Sequence, residues 1–273
     1  MSVIAISRGS LIATQKLAAG LSAKLGSRVI TREDVVAAAE GYGTDKTGIS
    51  KESIVGEHPP GFWDRYTDAR RHYLTCFKAA LLEYAAKESI IYHGNLAHIL
   101  LNEVPFVLRV RVNAPEENRV RMLMEERGLS RERAMEEIKE NDRRRRRWTH
   151  FLYEAETVDP IFFDLVLNMH RMTIEDAVEL VTSEVKKEQF QRTERLSKDL
   201  RDLHLATVAE VNLMHYTSTY GLGFEVTADS ATGEVTVHKS PVMEERTTLD
   251  DDIKAALANV EAIVKVNIEA SAG

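Results

Sequence analysis

The chain has 273 residues, of which 44% are hydrophobic and 29% charged, with a formal net charge of −7. Such a length buries a full core without staples, and the acidic balance argues against a general nucleic-acid binder. The single cysteine, Cys76, excludes a disulfide framework and a zinc site built from cysteines alone.

The opening MSVIAISRGS has no basic stretch ahead of a long apolar core, so no secretory signal is expected. No segment approaches the roughly 18 apolar residues of a spanning helix. A soluble, cytoplasmic protein is the expectation.

Val3 to Ile6 form a continuous apolar run, the mark of a strand buried on both faces. A turn, Ser7-Arg8-Gly9-Ser10, leads into a helix carrying Leu11, Thr14, Leu17, Ala18, Leu21 and Leu25, closed by Gly26. Val29-Ile30 reads as a short strand. Thr31 with Asp34 then caps a helix running to about Gly41. Residues 41–60, rich in Gly, Thr, Ser and Pro, read as a loop. A long amphipathic helix from about Phe62 to Lys87 offers Trp63, Tyr66, Tyr73, Phe77, Leu81 and Tyr84 to the core. Cys76 lies in that apolar pattern and reads as a small core residue.

Ser89 to Gly94 is a buried strand, Asn95 to Leu101 a short helix, and Pro105 to Val112 another strand. Pro115 with Glu116 and Glu117 opens a helix, and Ser130 opens the next, which carries the run Arg143 to Arg147. Phe163 to Asn168 is a further strand, and Thr173 to Asp176 caps a helix ending near Phe190. Strands alternating with helices imply a parallel α/β sheet with helical crossovers. Beyond residue 192 the order is helix, strand, strand, helix, strand, a small α+β module. The predicted domains are therefore residues 1–192 and 193–273.

A strand, a glycine-bearing turn and a helix N-terminus make an anion site. Against the phosphate-loop pattern G-x-x-x-x-G-K-[ST], Gly9 keeps the first glycine. Thr14 stands at the second, Gln15 at the lysine and Lys16 at the hydroxyl position. Thr14 adds a Cβ where backbone should approach phosphate. Gln15 cannot supply the cation that binds β/γ-phosphates, and Lys16 cannot coordinate Mg²⁺ as a hydroxyl does. Arg8, Ser10 and Lys16 are the compensating candidates.

Here a family resemblance enters. Val3-Ile4-Ala5-Ile6-Ser7-Arg8-Gly9-Ser10 resembles the I-x-I-S-R-G opening of the cytidylate-kinase-like family, in the P-loop nucleoside-monophosphate-kinase superfamily. Thr31-Arg32-Glu33 is similar to its short acidic segment, and Ile91 to Gly94 to its active-site strand. Val112 to Glu116 with Arg119 resembles its strand-to-helix turn. Asp142, Arg146, Arg147 and Tyr153 fall in its lid, and Asp159-Pro160 and Phe163 to Asn168 complete the match over about residues 1–190. The resemblance implies ATP and Mg²⁺ as cofactors and a CMP-like nucleoside monophosphate as acceptor. It implies Arg8, Gly9, Ser10, Thr14, Gln15 and Lys16 around the ATP phosphates, Arg119, Arg146 and Arg147 in catalysis, and His93 and Arg32 at the substrate. No protein metal ligand is expected.

The departures fall in the site. Leu11-Ile12-Ala13-Thr14 replaces the glycine-rich loop, Asn95 follows the His93-Gly94 strand, and no strand-end aspartate for Mg²⁺ is evident. His93 reads either as a crevice-lining polar residue or as a structural histidine. The arginine run reads as a lid, as a solvated face balanced by Glu132, Glu136, Glu137 and Glu140, or as an acidic-partner surface. His58, His72, His93, His98 and His150 are scattered, with no H-E-x-x-H pattern, which argues against a metal.

The C-terminal module resembles the BON domain through Phe224 to Lys239, Asp250 to Leu257 and Val260 to Ile268. That resemblance implies attachment to a protein partner or self-association, not to a membrane, since no basic amphipathic face is present. Three readings of the whole stay open: a nucleoside monophosphate kinase with a degenerate phosphate loop; an inactive pseudokinase that senses nucleotide or serves as scaffold; and RNA or DNA binding through the arginine helix, which the overall charge argues against.

Overall fold

A computed structural model of the chain describes residues 2–59, 67–94, 97–153, 159–240, 243 and 246–270. Trp63, Tyr66 and Asn95 lie outside these residues. Two compact units are present. The first comprises Met1–Val35, Lys51–Trp63 and Lys87–Arg192, and the second Val36–Ser50, Asp64–Ala86 and Thr193–Gly273. Helix α4 (Thr67–Lys87) turns Cys76 and Ala79 onto Val211 of the C-terminal segment, a long-range packing choice that local periodicity cannot reveal.

In the first unit, β1 (Val3–Arg8), β2 (Arg28–Thr31), β3 (Ile90–Gly94), β4 (Val107–Asn113) and β5 (Leu165–Asn168) form a parallel sheet of order β2-β3-β1-β4-β5. The apolar β1 takes the central place. Ile4 lies beside Ile91 and Leu108, and Ile6 beside His93 and Val110. On one face, Ala13, Leu17, Ala18 and Leu21 of α1 (Leu11–Leu25) pack over Ile4, Ile6 and Val110 and against Val178 and Val181 of α8 (Ile174–Val185). Each such aliphatic side chain contributes about 1.5–3 kcal/mol on full burial.

Helix α2 (Arg32–Glu40) starts from a capping exchange. The Thr31 amide donates to Asp34 Oδ2 at 2.8 Å, and the Asp34 amide donates to Thr31 Oγ1 at 3.1 Å. Residues 41–59 are more ordered than the expected loop: a 3-10 turn spans Thr44–Thr47 and α3 spans Lys51–Gly56. Ile49 and Ile54 are buried there, and two isolated apolar residues produce no readable period. Short α5 (Ala97–Leu100) follows β3. Helices α6 (Glu116–Arg127) and α7 (Arg131–Tyr153) pack through Val120, Leu123, Ala134 and Ile138. Helix α8 stops at Val185, short of Phe190, where Gln191 Nε2 donates to the Val185 carbonyl.

In the second unit, α9 (Glu194–His215) packs on a three-stranded sheet of β6 (Glu225–Asp229), β7 (Glu234–Lys239) and β8 (Lys265–Ala270). Strand β6 is antiparallel to β7, and β8 runs parallel to it. Leu249, Ile253 and Leu257 of α10 (Leu249–Leu257) join Leu205, Ala209, Leu213, Val235 and Val237 in one core. Among the described residues no helix is long and apolar enough to cross a membrane.

Candidate functional site

The strand order of the first unit reverses about β1, and open parallel sheets bind ligands beyond the carboxyl ends of the strands at such a reversal. A cavity of about 580 Å³ opens there. Arg8 and His93, near the ends of β1 and β3, Ser10 at the N-terminus of α1, and the inward faces of α6 and α7 line it. Six arginines face the cavity: Arg8, Arg32, Arg119, Arg127, Arg144 and Arg145. Only Glu33, Glu57, Glu137 and Asp142 oppose them. In an acidic chain this is a local positive excess.

Most of that charge is already committed. Arg119 holds Asp142 bidentately at 2.8 and 2.7 Å, a geometry that fixes both side chains. Arg32 Nε lies 3.2 Å from Glu57 Oε1, with both side chains under a tenth exposed, and Arg32 Nη2 also donates to the Ile54 carbonyl. Arg144 reaches the other Glu57 oxygen at 4.0 Å, and Arg127 bonds Glu137. Glu57 stands at φ 54°, a left-handed conformation that glycine adopts more readily. A carboxylate at this helix end serves Arg32 and Arg144, which glycine cannot do.

Arg8 and Arg145 have no carboxylate within ion-pair reach among the described residues. Arg145 Nη2 instead donates to the main-chain carbonyl of Arg8. Burial, and then the neighbouring Arg8 charge, push the Arg145 guanidinium down to about 10, so it stays charged at neutral pH. Arg8 Nε is buried without a hydrogen-bond partner. Burial and the Arg8 charge also hold His93 below the usual histidine range, so it enters the cavity neutral at pH 7.

The expected site residues separate. Arg8, Ser10, Gln15, Arg32, His93 and Arg119 line the cavity. Thr14 does not: it is fully buried inside α1. Lys16 points away to Glu126 at 3.1 Å. Arg146 and Arg147 are exposed, and their neighbours Arg144 and Arg145 take the inward places. Helical spacing explains this correction. Trp148, Phe151 and Leu152 are buried; steps of three and four back from Trp148, and of seven back from Phe151 and Leu152, land on Arg145 and Arg144. That signal was present in the sequence. Glu57 was missed because nothing local marks it.

The phosphate cradle is absent as a shape, not only as a motif. Helix α1 begins at Leu11, so only Gly9 and Ser10 separate it from β1, and the positions of the second glycine and the lysine lie within the helix. Gly9 is required by β4: an added Cβ would sit 2.3 Å from the Val112 carbonyl oxygen, and the Gly9 amide already donates to that oxygen at 2.8 Å. Three of the cavity's carboxylates are committed to arginines, and Glu33, largely exposed, lies 3.9 Å from Arg32. The residues present therefore do not fit a protein-held Mg²⁺ of the phosphate-loop kind. They fit an anion held by guanidinium groups.

A family model described as "Cytidylate kinase-like family" matches residues 3–171. No curated protein matches the chain. Among solved structures, an uncharacterized protein from Eubacterium ventriosum is similar at 15% identity and a TM-score of 0.51, over 67% of this chain and 97% of that one. A shikimate kinase from Bacteroides thetaiotaomicron matches at 15% identity and a TM-score of 0.36, over 68% and 98%. A shikimate kinase from Aquifex aeolicus matches at 14% and 0.31, over 67% and 96%. At 15% identity the likeness to the first of these concerns the fold alone.

Proposed function

The chain belongs to the cytidylate kinase-like family, and from that premise we propose that its first unit binds a nucleotide by the phosphates without efficient phosphoryl transfer. The observation that carries this reading is the pair Arg8 and Arg145, cationic at the sheet's ligand-binding edge and without carboxylate partners. Guanidinium groups suit phosphate because their fork matches two oxygens at once. His93, neutral, adds a polar wall without opposing an anion. Phosphoryl transfer relies on positioning and on neutralising charge at the transferred group. The helix at residues 11–16 removes the loop that would do both.

A second reading is an active kinase that transfers the γ-phosphate of ATP to a CMP-like acceptor. What favours it is the same pair of arginines, which would replace the missing loop lysine. In either case the second unit, with its BON-like order of elements, serves as attachment to a protein partner or to a second copy. A cytoplasmic setting is part of the proposal.

Calorimetry of the full chain with ATP and with CMP, each with and without Mg²⁺, tests this, with ADP production assayed in the same samples. Binding without turnover is expected. Steady ADP release dependent on CMP would establish the second reading. Absence of binding by every nucleotide would remove both.

A further inference from the structure

The second unit brings together donor side chains from two helices far apart in sequence. His72 and Cys76 lie one turn apart on α4, so they share a face. His215 is the last residue of α9, and its ring centroid is 4.8 Å from that of His72. One ligand atom from each of the three lies within 4.8 Å of the others.

Their hydrogen bonding is incomplete in a way that calls for a partner. His72 is 1% exposed, yet neither of its ring nitrogens has a hydrogen-bond partner, and His215 Nε2 is likewise buried and unpaired. Buried polar groups in folded proteins are normally satisfied, and an unsatisfied one costs about 1–3 kcal/mol. The Cys76 thiol, fully buried, donates only to the Tyr42 carbonyl at 3.2 Å.

We propose that His72, Cys76 and His215 form a zinc site whose fourth ligand is a water. Two imidazoles and a thiolate are a ligand set that suits zinc. A tetrahedral centre needs ligand atoms about 3.3–3.6 Å apart, from bonds of about 2.0–2.3 Å. The cluster therefore closes by about 1 Å on loading. His215, half-buried at a helix end, is the member placed to move. Lys46 and Asp45 act on Cys76 and His215 with opposite sign, while at His72 Lys46 and Arg71 act together as cations. On binding, the Cys76 S–H bond breaks, the sulfur electron pair forms the zinc bond and the proton passes to solvent. The site would clip α4 to α9 within the unit, joining segments distant in sequence.

The test uses the full chain, reduced and stripped with a chelator, then titrated with Co²⁺ and afterwards Zn²⁺. A thiolate-to-cobalt charge-transfer band saturating at one equivalent, erased by Zn²⁺, is expected, with a higher melting temperature in Zn²⁺. Cys76→Ser should abolish the band, and His215→Gln should raise the Co²⁺ dissociation constant by at least about tenfold. Absence of the band in the unsubstituted chain overturns the proposal, and that measurement does not depend on any variant folding. A band that persists at unchanged affinity in folded His215→Gln also overturns it, since Cys76 would then be binding without the site. Nucleotide binding plays no part in these readouts, so they stand apart from the function proposed above.

Discussion

Arg145, on the long helix α7, donates a guanidinium hydrogen bond to the backbone carbonyl of Arg8 at the end of the central strand. The bond sets two cations side by side where a parallel sheet presents its ligand crevice.

From this, replacing either residue should weaken nucleotide binding. Arg8→Ala or Arg145→Ala is expected to cost about 1.5–3 kcal/mol, the range for hydrogen bonds to a charged group, or roughly tenfold to a hundredfold in Kd. Arg145→Lys keeps the charge but loses the fork, and should recover part of the loss. Arg146→Ala and Arg147→Ala, on the exposed face, should leave binding unchanged. Calorimetry with ATP and CMP reads each variant.

The Arg32–Glu57 pair makes a separate prediction about stability. Both side chains are buried, so removing Arg32 takes away the closer guanidinium of Glu57 and leaves the longer contact to Arg144. Arg32→Met is expected to destabilise by about 3 kcal/mol, the low end for breaking a buried pair. The double variant Arg32→Met with Glu57→Gln should be more stable than Arg32→Met alone, because the buried carboxylate charge is removed with its nearer partner. Urea denaturation of the unsubstituted chain, both single variants and the double variant measures the coupling.

Restoring the phosphate-loop residues should not restore a phosphate loop. Thr14 and Gln15 sit within α1, so Thr14→Gly with Gln15→Lys adds no cradle. The expected outcome is no gain in ADP production and a stability loss of about 1 kcal/mol from glycine in a helix. Gly9→Ala should destabilise by about 1–3 kcal/mol, because its Cβ meets the Val112 carbonyl. A steady-state coupled assay and thermal melting check the two variants. A large gain in turnover from the double substitution would show that α1 can open.

The start of α2 carries a pH signature. Backbone and side-chain hydrogen bonds from Thr31 hold the Asp34 carboxyl below its ordinary value. Its folded pKa is thus lower than its unfolded one. The stabilisation is present above the unfolded value, near the ordinary carboxylate range, and is lost as pH falls through the depressed folded value. Asp34→Asn should therefore be less stable than the unsubstituted chain at neutral pH, with the gap closing in acid. Urea midpoints measured across that range test the sign.

Much of the first unit was legible because its signals are local. Val3 to Ile6 announce a buried strand, Thr31 and Asp34 a cap, and Thr173 and Asp176 a capping box that the structure contains. The inward register of the arginine run was legible too, from Trp148, Phe151 and Leu152, but only if helical spacing is followed in preference to the spacing from Asp142. Residues 41–60 gave no such signal, and their turn and short helix form around single buried isoleucines.

What the sequence by itself determined is the order and type of the elements, the parallel sheet, the family and the loss of the phosphate-loop residues. These depend on short-range periodicity, turn chemistry and residue identity. The tertiary structure decided which charges meet and which stay free. It paired Glu57 with Arg32, set no carboxylate of the described residues within ion-pair reach of Arg8 or Arg145, and gathered His72, Cys76 and His215 from helices far apart in the chain. The physical reason is that ion pairing and ligand geometry act across a few ångströms of space, while their partners are separated along the chain by distances that no local pattern encodes.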